Sequence, residues 1–267
     1  MDDTLYDMIR QTAVSAAKCA GGLQKERFDS NVEIIKETDS DVTTTVDRKC
    51  SDIILNQISQ VFPSHSILCE EETYREGMSE YEWIVDPLDG SVNYFLGLPY
   101  YCVSIACFIK DYDTKIPVIG VVYAPATGEL FVGSPRDGVT LNGKRLVNIR
   151  QPGLSEGAVG VSLGSSESVF SAVYAVLPAL FNGTKKVRSH GATALDLCRV
   201  AGGSLSGLYQ IGVKIWDFAA GEIILKQAGC KFYARTLGDE GYAIIAGNRS
   251  SMSEMEEVFG WKAGVTS

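Results

Sequence analysis

Residues 83–94 read WIVDPLDGSVNY, and the fold turns on how this stretch is parsed. Trp83-Ile84-Val85 is a short apolar run of the kind a buried strand supplies, and Asp86 follows it directly, where an isolated charge is costly. Pro87 fixes its own backbone angle and restrains Asp86 to an extended shape, so the turn to Asp89 is stiff and the two carboxylates can converge. Gly90 and Ser91 then open a helical turn whose amides can hold an anion. Between Arg75 and Lys110 there is no Lys, Arg or His, while Glu76, Glu80, Glu82, Asp86 and Asp89 all fall there. Carboxylates without His or Cys neighbours suit magnesium or manganese better than zinc. Taken alone, the stretch also reads as an ordinary Asp-Gly turn with Asp86 as a cap, so other carboxylates must decide.

Three neighbouring segments supply them. ILCEEE ends a short strand with Glu70, Glu71 and Glu72, at least one of which is expected beside Asp86, although such a triplet is also a common solvated run. SDVTTTVDRK offers Asp41, Thr43, Thr45 and Asp47 before a helix that Asp47 could simply cap. KIWD repeats the plan of an apolar approach followed by an acid, and Asp217 there also reads as a helix cap. Acids at several strand or helix ends, with no nearby bases, would together form an oxygen-ligand site for two or more ions.

The remaining pattern frames these ends. MDDTLYDMIRQTAVSAAKCAGG reads as a first amphipathic helix and as neither a secretory signal nor a membrane anchor. Val46, Cys50, Ile54, Ile58 and Val61 recur at helical spacing up to Pro63. YCVSIACFIK, VIGVVYA and ELFVGS read as successive antiparallel strands. GVTLNGKR nearly spells a phosphate loop, but Arg145 stands where Ser or Thr is needed, and Asn142-Gly143 reads as a hairpin turn. NIRQPGLSEG is the boundary expected between an α+β half, residues 1–150, that carries most of the acids and an α/β half, residues 151–267, that completes the site. In that second half SVFSAVYAVLPALFNG, ATALDLCRVAGG and WDFAAGEIILKQAG read as helices, the last opened by Asp217, and LSGLYQIG, KFYA and YAIIAG as strands.

Composition narrows the function. A formal net charge of -9 over 267 residues removes the positive field that nucleic-acid binding uses, and no apolar stretch calls for a membrane. Seven cysteines without a C-x-x-C pair are expected as free thiols in a reducing cytoplasm. His65 and His190 are the two histidines and neither falls among the acids, which disfavours a phosphohistidine route.

With WIVDPLDGSVNY, EEE upstream, SHGATALDLC and YQIG between, and WDFAAGEIILKQAG downstream, the chain resembles the inositol monophosphatase family of magnesium-dependent, lithium-sensitive phosphatases over nearly its whole length. The resemblance implies an α/β (α+β) fold, a layered αβαβα sandwich of the sugar phosphatase type, commonly a homodimer, with the site between the two halves. It implies two or three magnesium ions. Glu70, Asp86 and the Leu88 carbonyl would hold the first, Asp86, Asp89 and Asp217 the second, and Glu70 would help with a third. Asp47 and Ser91, with Glu70, would orient the attacking water, and the amides of Gly90 and Ser91 would grip the phosphate. Asp89, Thr193, Gln210 and Asp217 fall where the family contacts the substrate.

This chain departs from the family pattern at Ser91, Leu96, Cys230 and Gln210. Gln210 stands where inositol-cleaving members often carry glutamate and keeps hydrogen bonding without the charge, which weakens an inositol assignment. The expected activity is hydrolysis of a small phosphorylated alcohol, inositol monophosphate or a sugar phosphate. The alternatives are fructose 1,6-bisphosphate, histidinol phosphate, 3′-phosphoadenosine 5′-phosphate, or a non-catalytic binding or regulatory role on the same fold. A nucleotide ranks lower because the signatures show no basic or aromatic clamp. Gln210 and the loop at 160–167 are expected to tune the choice. An EF-hand calcium domain is disfavoured because its loop spacing is missing.

Overall fold

The computed structural model describes residues 1–28, 33–37, 42–111, 114–147, 149–162 and 167–261. Helix α1 (Asp3–Arg27) opens at an Asp2 cap and buries Tyr6, Ile9, Ala13, Ala16, Ala17 and Ala20, a helical stripe in which small residues allow close approach to a sheet. A small antiparallel pair, β1 (Ile34–Glu37) and β2 (Val42–Thr44), leads into α2 (Thr45–Val61). The cap of α2 is Thr44. Asp47 is the third helical residue and receives the Thr44 backbone N–H in a capping box, so it does not hold the cap position itself.

A seven-stranded sheet follows. It contains β3 (Ser66–Cys69), β4 (Tyr81–Asp89), β5 (Cys102–Asp111), β6 (Thr114–Ala124), β7 (Glu129–Ser134), β8 (Gly138–Leu141) and β9 (Lys144–Arg145), neighbours in sequence order. Pairing is antiparallel except between β3 and β4. The one-turn helix α3 (Ser91–Phe95) sits between β4 and β5. Asn142 and Gly143 have φ of 51° and 76°, the left-handed pair that a tight hairpin between β8 and β9 requires.

Every residue of β4 is buried, because helices cover both faces of the sheet. Trp83, Val85, Val103, Ile105 and Val121 pack under α1 and α2 with Ile9, Ile54 and Ile58. Ile84, Ala106, Val122 and Phe131 face the other way.

That second face meets the rest of the chain, β10 (Ala158–Val161), α4 (Glu167–Gly183), β11 (Lys186–Arg188), α5 (Thr193–Ala201), β12 (Gly207–Val213), α6 (Ile215–Gln227), β13 (Lys231–Thr236), β14 (Tyr242–Gly247) and α7 (Met252–Val258). Its five strands lie in the order β11-β10-β12-β14-β13. Helices α5 and α6 pack against the inner face of the seven-stranded sheet. Their Leu195, Leu197, Ile223 and Ile224 share a core with Ile84 and Val122 on one side and Leu208 and Ile244 on the other. The opposite face of the smaller sheet packs Val159, Val161 and Ile245 with Leu180 of α4 and Met252 and Met255 of α7. The layers run α, β, α, β, α.

Gly120 and Gly133 set the inner spacing, since an added Cβ would stand 2.5 Å from the Ala220 oxygen and 2.8 Å from the Ile224 Cα. Helix α6 is capped by the Lys214 backbone, and Asp217 is its third residue, where the sequence pattern placed it at the helix start. All seven cysteines are free thiols. Among the described residues no helix is long and apolar enough to cross a membrane.

Candidate active site

The sequence pattern ended a strand at Asp86, yet β4 runs on to Asp89. Asp86 pairs with Ser104 and Asp89 with Cys102, so three steps on β4 face two on β5 and the ladder bulges. Residues three apart on a regular strand point to opposite faces, whereas the extra residue turns Asp86 and Asp89 to the same side. Pro87, which has no N–H to give the ladder, occupies the bulge. Its carbonyl is held by Gln24 Nε2 at 2.7 Å, and Tyr94 Oη donates to the Gln24 carbonyl at 2.8 Å, so α1 and α3 both brace the turn.

The two aspartates open into a cleft of about 930 Å³, also lined by Glu70, Glu71, Leu88, Gly90, Ser91, Asn93, Thr193, Gly212, Trp216 and Asp217. Glu70 arrives because β3 runs parallel to β4, its N–H donating to the Val85 carbonyl at 3.2 Å. Gly90 has φ of 90°, and an added Cβ would meet the Tyr100 oxygen at 2.9 Å, so only glycine lets the chain pass from β4 into α3. Asn93 Nδ2 then donates to the Tyr100 and His190 carbonyls at 2.8 and 2.7 Å, tying α3 to the segment that enters α5.

Asp89 is held by that segment. Its carboxylate accepts the N–H groups of Thr193 at 3.0 Å and Ala194 at 2.7 Å, and the Cys102 thiol at 3.4 Å. Helix α5 has no capping side chain of its own, so a carboxylate from the other sheet satisfies its first turn. Asp86 accepts the Leu88 N–H at 3.0 Å, and Asp217 accepts the Lys214 N–H at 2.8 Å. Asp47 is buried behind the lining, its carboxylate accepting both the N–H and the hydroxyl of Thr44. Thr193 lines the cleft, while Gln210 lies behind it and accepts the Thr193 hydroxyl at 2.7 Å. Ser91, the first residue of α3, lines the cleft.

Burial above all lifts the Asp86 carboxyl well above the ordinary carboxylate range, and the nearby charges of Glu70, Asp89 and Asp217 push it the same way. Asp89 is raised too, first by burial and then by Asp217, against the pull of its amide donors. Asp86 and Asp89 are buried, Asp217 is half-buried and Glu70 is exposed, and such an oxygen-only, like-charged set fits a hard divalent cation that would offset the repulsion. Among the described residues no three acidic, His or Cys side chains close around a point by themselves. Asp86, Asp89 and Asp217 are each fixed by the backbone donors named above.

One expectation is corrected. The acids were expected without nearby bases, but Arg48 adjoins Asp47, Lys214 precedes Asp217 by three residues, and with Lys36 they line the same cleft, brought in by the first turn of α2, by the residue that caps α6 and by β1. Gln24 and Asn93 carried no signal in the sequence, because both act through backbone carbonyls of distant segments. Neither histidine lines the cleft. His65 stacks between Phe62 and Tyr81, and His190 stacks on Tyr100 with Nδ1 at 2.8 Å from Asp196 Oδ1. Asp41 and residues 163–166 of the 160–167 loop lie outside the described residues.

The inositol monophosphatase family model matches residues 5–255. Inositol monophosphatase 1 of Solanum lycopersicum is 38% identical over 225 residues, covering 81% of this chain and 81% of that protein. Nus factor SuhB of Escherichia coli is 34% identical over 244 residues, covering 88% and 90%. The solved structure of inositol monophosphatase from Anabaena superposes with a TM-score of 0.79 at 30% identity, over 94% of each chain.

Proposed function

Because this chain belongs to the inositol monophosphatase family, we propose that it is a magnesium-dependent, lithium-sensitive phosphatase that hydrolyses a small phosphorylated alcohol, inositol monophosphate or a sugar phosphate, as a cytoplasmic homodimer. The observation that carries the reading is the bulge that turns buried Asp86 and Asp89 into one cleft with Glu70 and Asp217. Two or three magnesium ions, held by Glu70, Asp86, the Leu88 carbonyl, Asp89 and Asp217, would supply charge neutralisation for the phosphate, an acidified water and a stabilised leaving oxygen.

The chain's own groups have separate tasks. Asp47, fixed by Thr44 at the head of α2, orients the attacking water with Ser91 and Glu70. The amides of Gly90 and Ser91, at the start of α3, would hold the phosphate. Thr193, positioned by Gln210, faces the alcohol together with Asp89 and Asp217. Residues 1–150 bring most of these groups and residues 151–267 bring Thr193, Gln210 and Asp217, so the site is complete only when the halves are packed.

The test is phosphate release from inositol monophosphate, fructose 1,6-bisphosphate, histidinol phosphate and 3′-phosphoadenosine 5′-phosphate. Each is assayed with magnesium, with chelator and with magnesium plus lithium, beside Asp89→Asn. Magnesium-dependent, lithium-inhibited turnover that disappears in Asp89→Asn is the expected result. Turnover that survives chelation, or no turnover by folded, magnesium-loaded protein, would sink the proposal.

A further inference from the structure

Ser189, Gly191 and Thr193 line the cleft, whereas His190 between them does not. A cluster behind the site holds it instead. His190 Nδ1 lies 2.8 Å from Asp196 Oδ1, the same oxygen accepts the Tyr100 hydroxyl at 2.6 Å, and the Tyr100 and His190 rings stack with centroids 4.8 Å apart. Burial, and then the neighbouring Asp196 carboxylate, hold the Tyr100 phenol far above its ordinary range, so it stays a donor. Asp196 is 1% exposed, and its other oxygen has no hydrogen-bond partner among the described residues. The carboxylate therefore depends on Tyr100 and His190, and moving either one leaves a buried acceptor short of a donor.

The same two residues are tied a second time through the main chain, since Asn93 Nδ2 donates to both of their carbonyls. They also back the turn that leaves β4. A Cβ added to Gly90 would stand 2.9 Å from the Tyr100 oxygen, 3.2 Å from the Ala192 Cβ and 3.3 Å from the Gly191 oxygen. One cluster thus packs behind Gly90 on one side and, three residues past His190, delivers Thr193 on the other. Farther along α5, Arg199 pairs with both oxygens of Glu129 at 2.7 and 2.6 Å, which fastens the helix to β7 without lining the cleft.

We infer that Tyr100, His190 and Asp196 are positioning residues for the reaction, which fix the alcohol-facing segment 189–193 against the phosphate-holding turn at Gly90 and Ser91. The inference rests on the phosphatase reading above and adds to it three residues that touch neither the phosphate nor the alcohol.

The test uses the full chain with magnesium, the fastest-cleaved of the four phosphate esters named above, and inorganic phosphate as a competitive probe of the phosphate grip alone. Tyr100→Phe keeps the ring stack and removes the hydroxyl, and His190→Phe keeps a ring and removes the donor. Each is expected to lower kcat/KM by at least about tenfold, a fraction of the roughly hundredfold that a displacement of about 1 Å costs at a reacting centre. The Ki of inorganic phosphate should stay at its wild-type value. His190→Asn, whose Nδ2 takes the place of Nδ1, should recover most of the loss. Glu129→Gln breaks the distant pair on the same helix and should lower the melting temperature while leaving kcat/KM unchanged. All rates are taken well below the melting transition of each variant, and if Tyr100→Phe does not fold, the two His190 variants decide. Wild-type kcat/KM in the phenylalanine variants, an equal fall in Glu129→Gln, an equal loss in His190→Asn and His190→Phe, or a parallel rise in the Ki of phosphate each overturns the inference while leaving the phosphatase reading standing. Absence of turnover on all four esters by the folded wild type overturns both.

Discussion

The carboxylate of Asp89, at the end of a strand in the seven-stranded sheet, accepts the backbone N–H of Ala194 at 2.7 Å, inside the first turn of a helix that packs between the two sheets. Its other oxygen accepts the N–H of Thr193. One side chain thus caps α5 and presents charge to the cleft.

Those two duties separate by substitution. Asp89→Asn keeps one acceptor and loses the charge, so activity should fall by at least about a hundredfold, the usual size of losing one preorganised charge-stabilising group. Asp89→Ala leaves both amides without acceptors and should cost a further ~1–3 kcal/mol. Thermal melts with chelator, run on both variants, check this. Equal melting temperatures would mean that the carboxylate does not anchor α5.

Magnesium and pH act on the same acids. Asp86 and Asp89 are held above their unfolded values, chiefly by burial and then by neighbouring carboxylates, so the folded metal-free state binds more protons than the unfolded one. Their stabilising contribution is complete below the unfolded carboxylate range and is lost as pH rises through the elevated folded values. Chelated protein should therefore melt lower at pH 8 than at pH 5.5. With magnesium the fall should flatten, because the ions bind the deprotonated carboxylates. Melting curves across that range in chelator and in magnesium provide the comparison, and parallel pH profiles would count against the assignment.

The sequence carried the chemistry of this site further than its construction. Trp83-Ile84-Val85 marked a buried strand because both faces of β4 are covered, and Pro87 marked a stiff turn. A bulge depends on what β5 places opposite, and no local pattern shows that. Asp47 and Asp217 looked like caps because an acid at the cap and an acid three residues in are enriched for related reasons, a free amide and a helix dipole. Lys36, Arg48 and Lys214 come from separate elements, and only packing assembles them in one cleft.

Gln24 tests the bracing of the bulge from outside the cleft. Its side-chain N–H donates to the Pro87 carbonyl, and the pair is fully buried. Gln24→Leu keeps a similar volume and removes that donor, at a cost of about 1–3 kcal/mol. The carboxylates on either side of Pro87 should then lose their common orientation, and kcat should fall more than KM rises. Denaturant melts and steady-state kinetics on the variant check both effects. An unchanged kcat would show that the bulge holds its shape without α1.

His65 supplies a pH response that is independent of the cleft. Its ring lies between Phe62 and Tyr81, with centroids at 4.5 and 4.9 Å, and Nδ1 accepts the Trp83 indole N–H at 3.0 Å, which requires a neutral ring with the proton on Nε2. Burial lowers its pKa from 6.5 to about 4. For a base whose folded value is depressed, the folded state resists the proton that the unfolded state accepts. The stability it supports is whole above pH 6.5 and drains away as pH falls towards 4. His65→Phe preserves the stacking and cannot titrate, but it strands the Trp83 N–H. It should lower stability near neutrality by ~1–3 kcal/mol and make the loss between about pH 6.5 and 4 shallower than in the wild type. Urea titrations at intervals across that window, compared between the two proteins, measure the difference directly because the other titrating groups are common to both. Identical slopes would show that His65 is protonated in the folded chain and that the indole finds another acceptor.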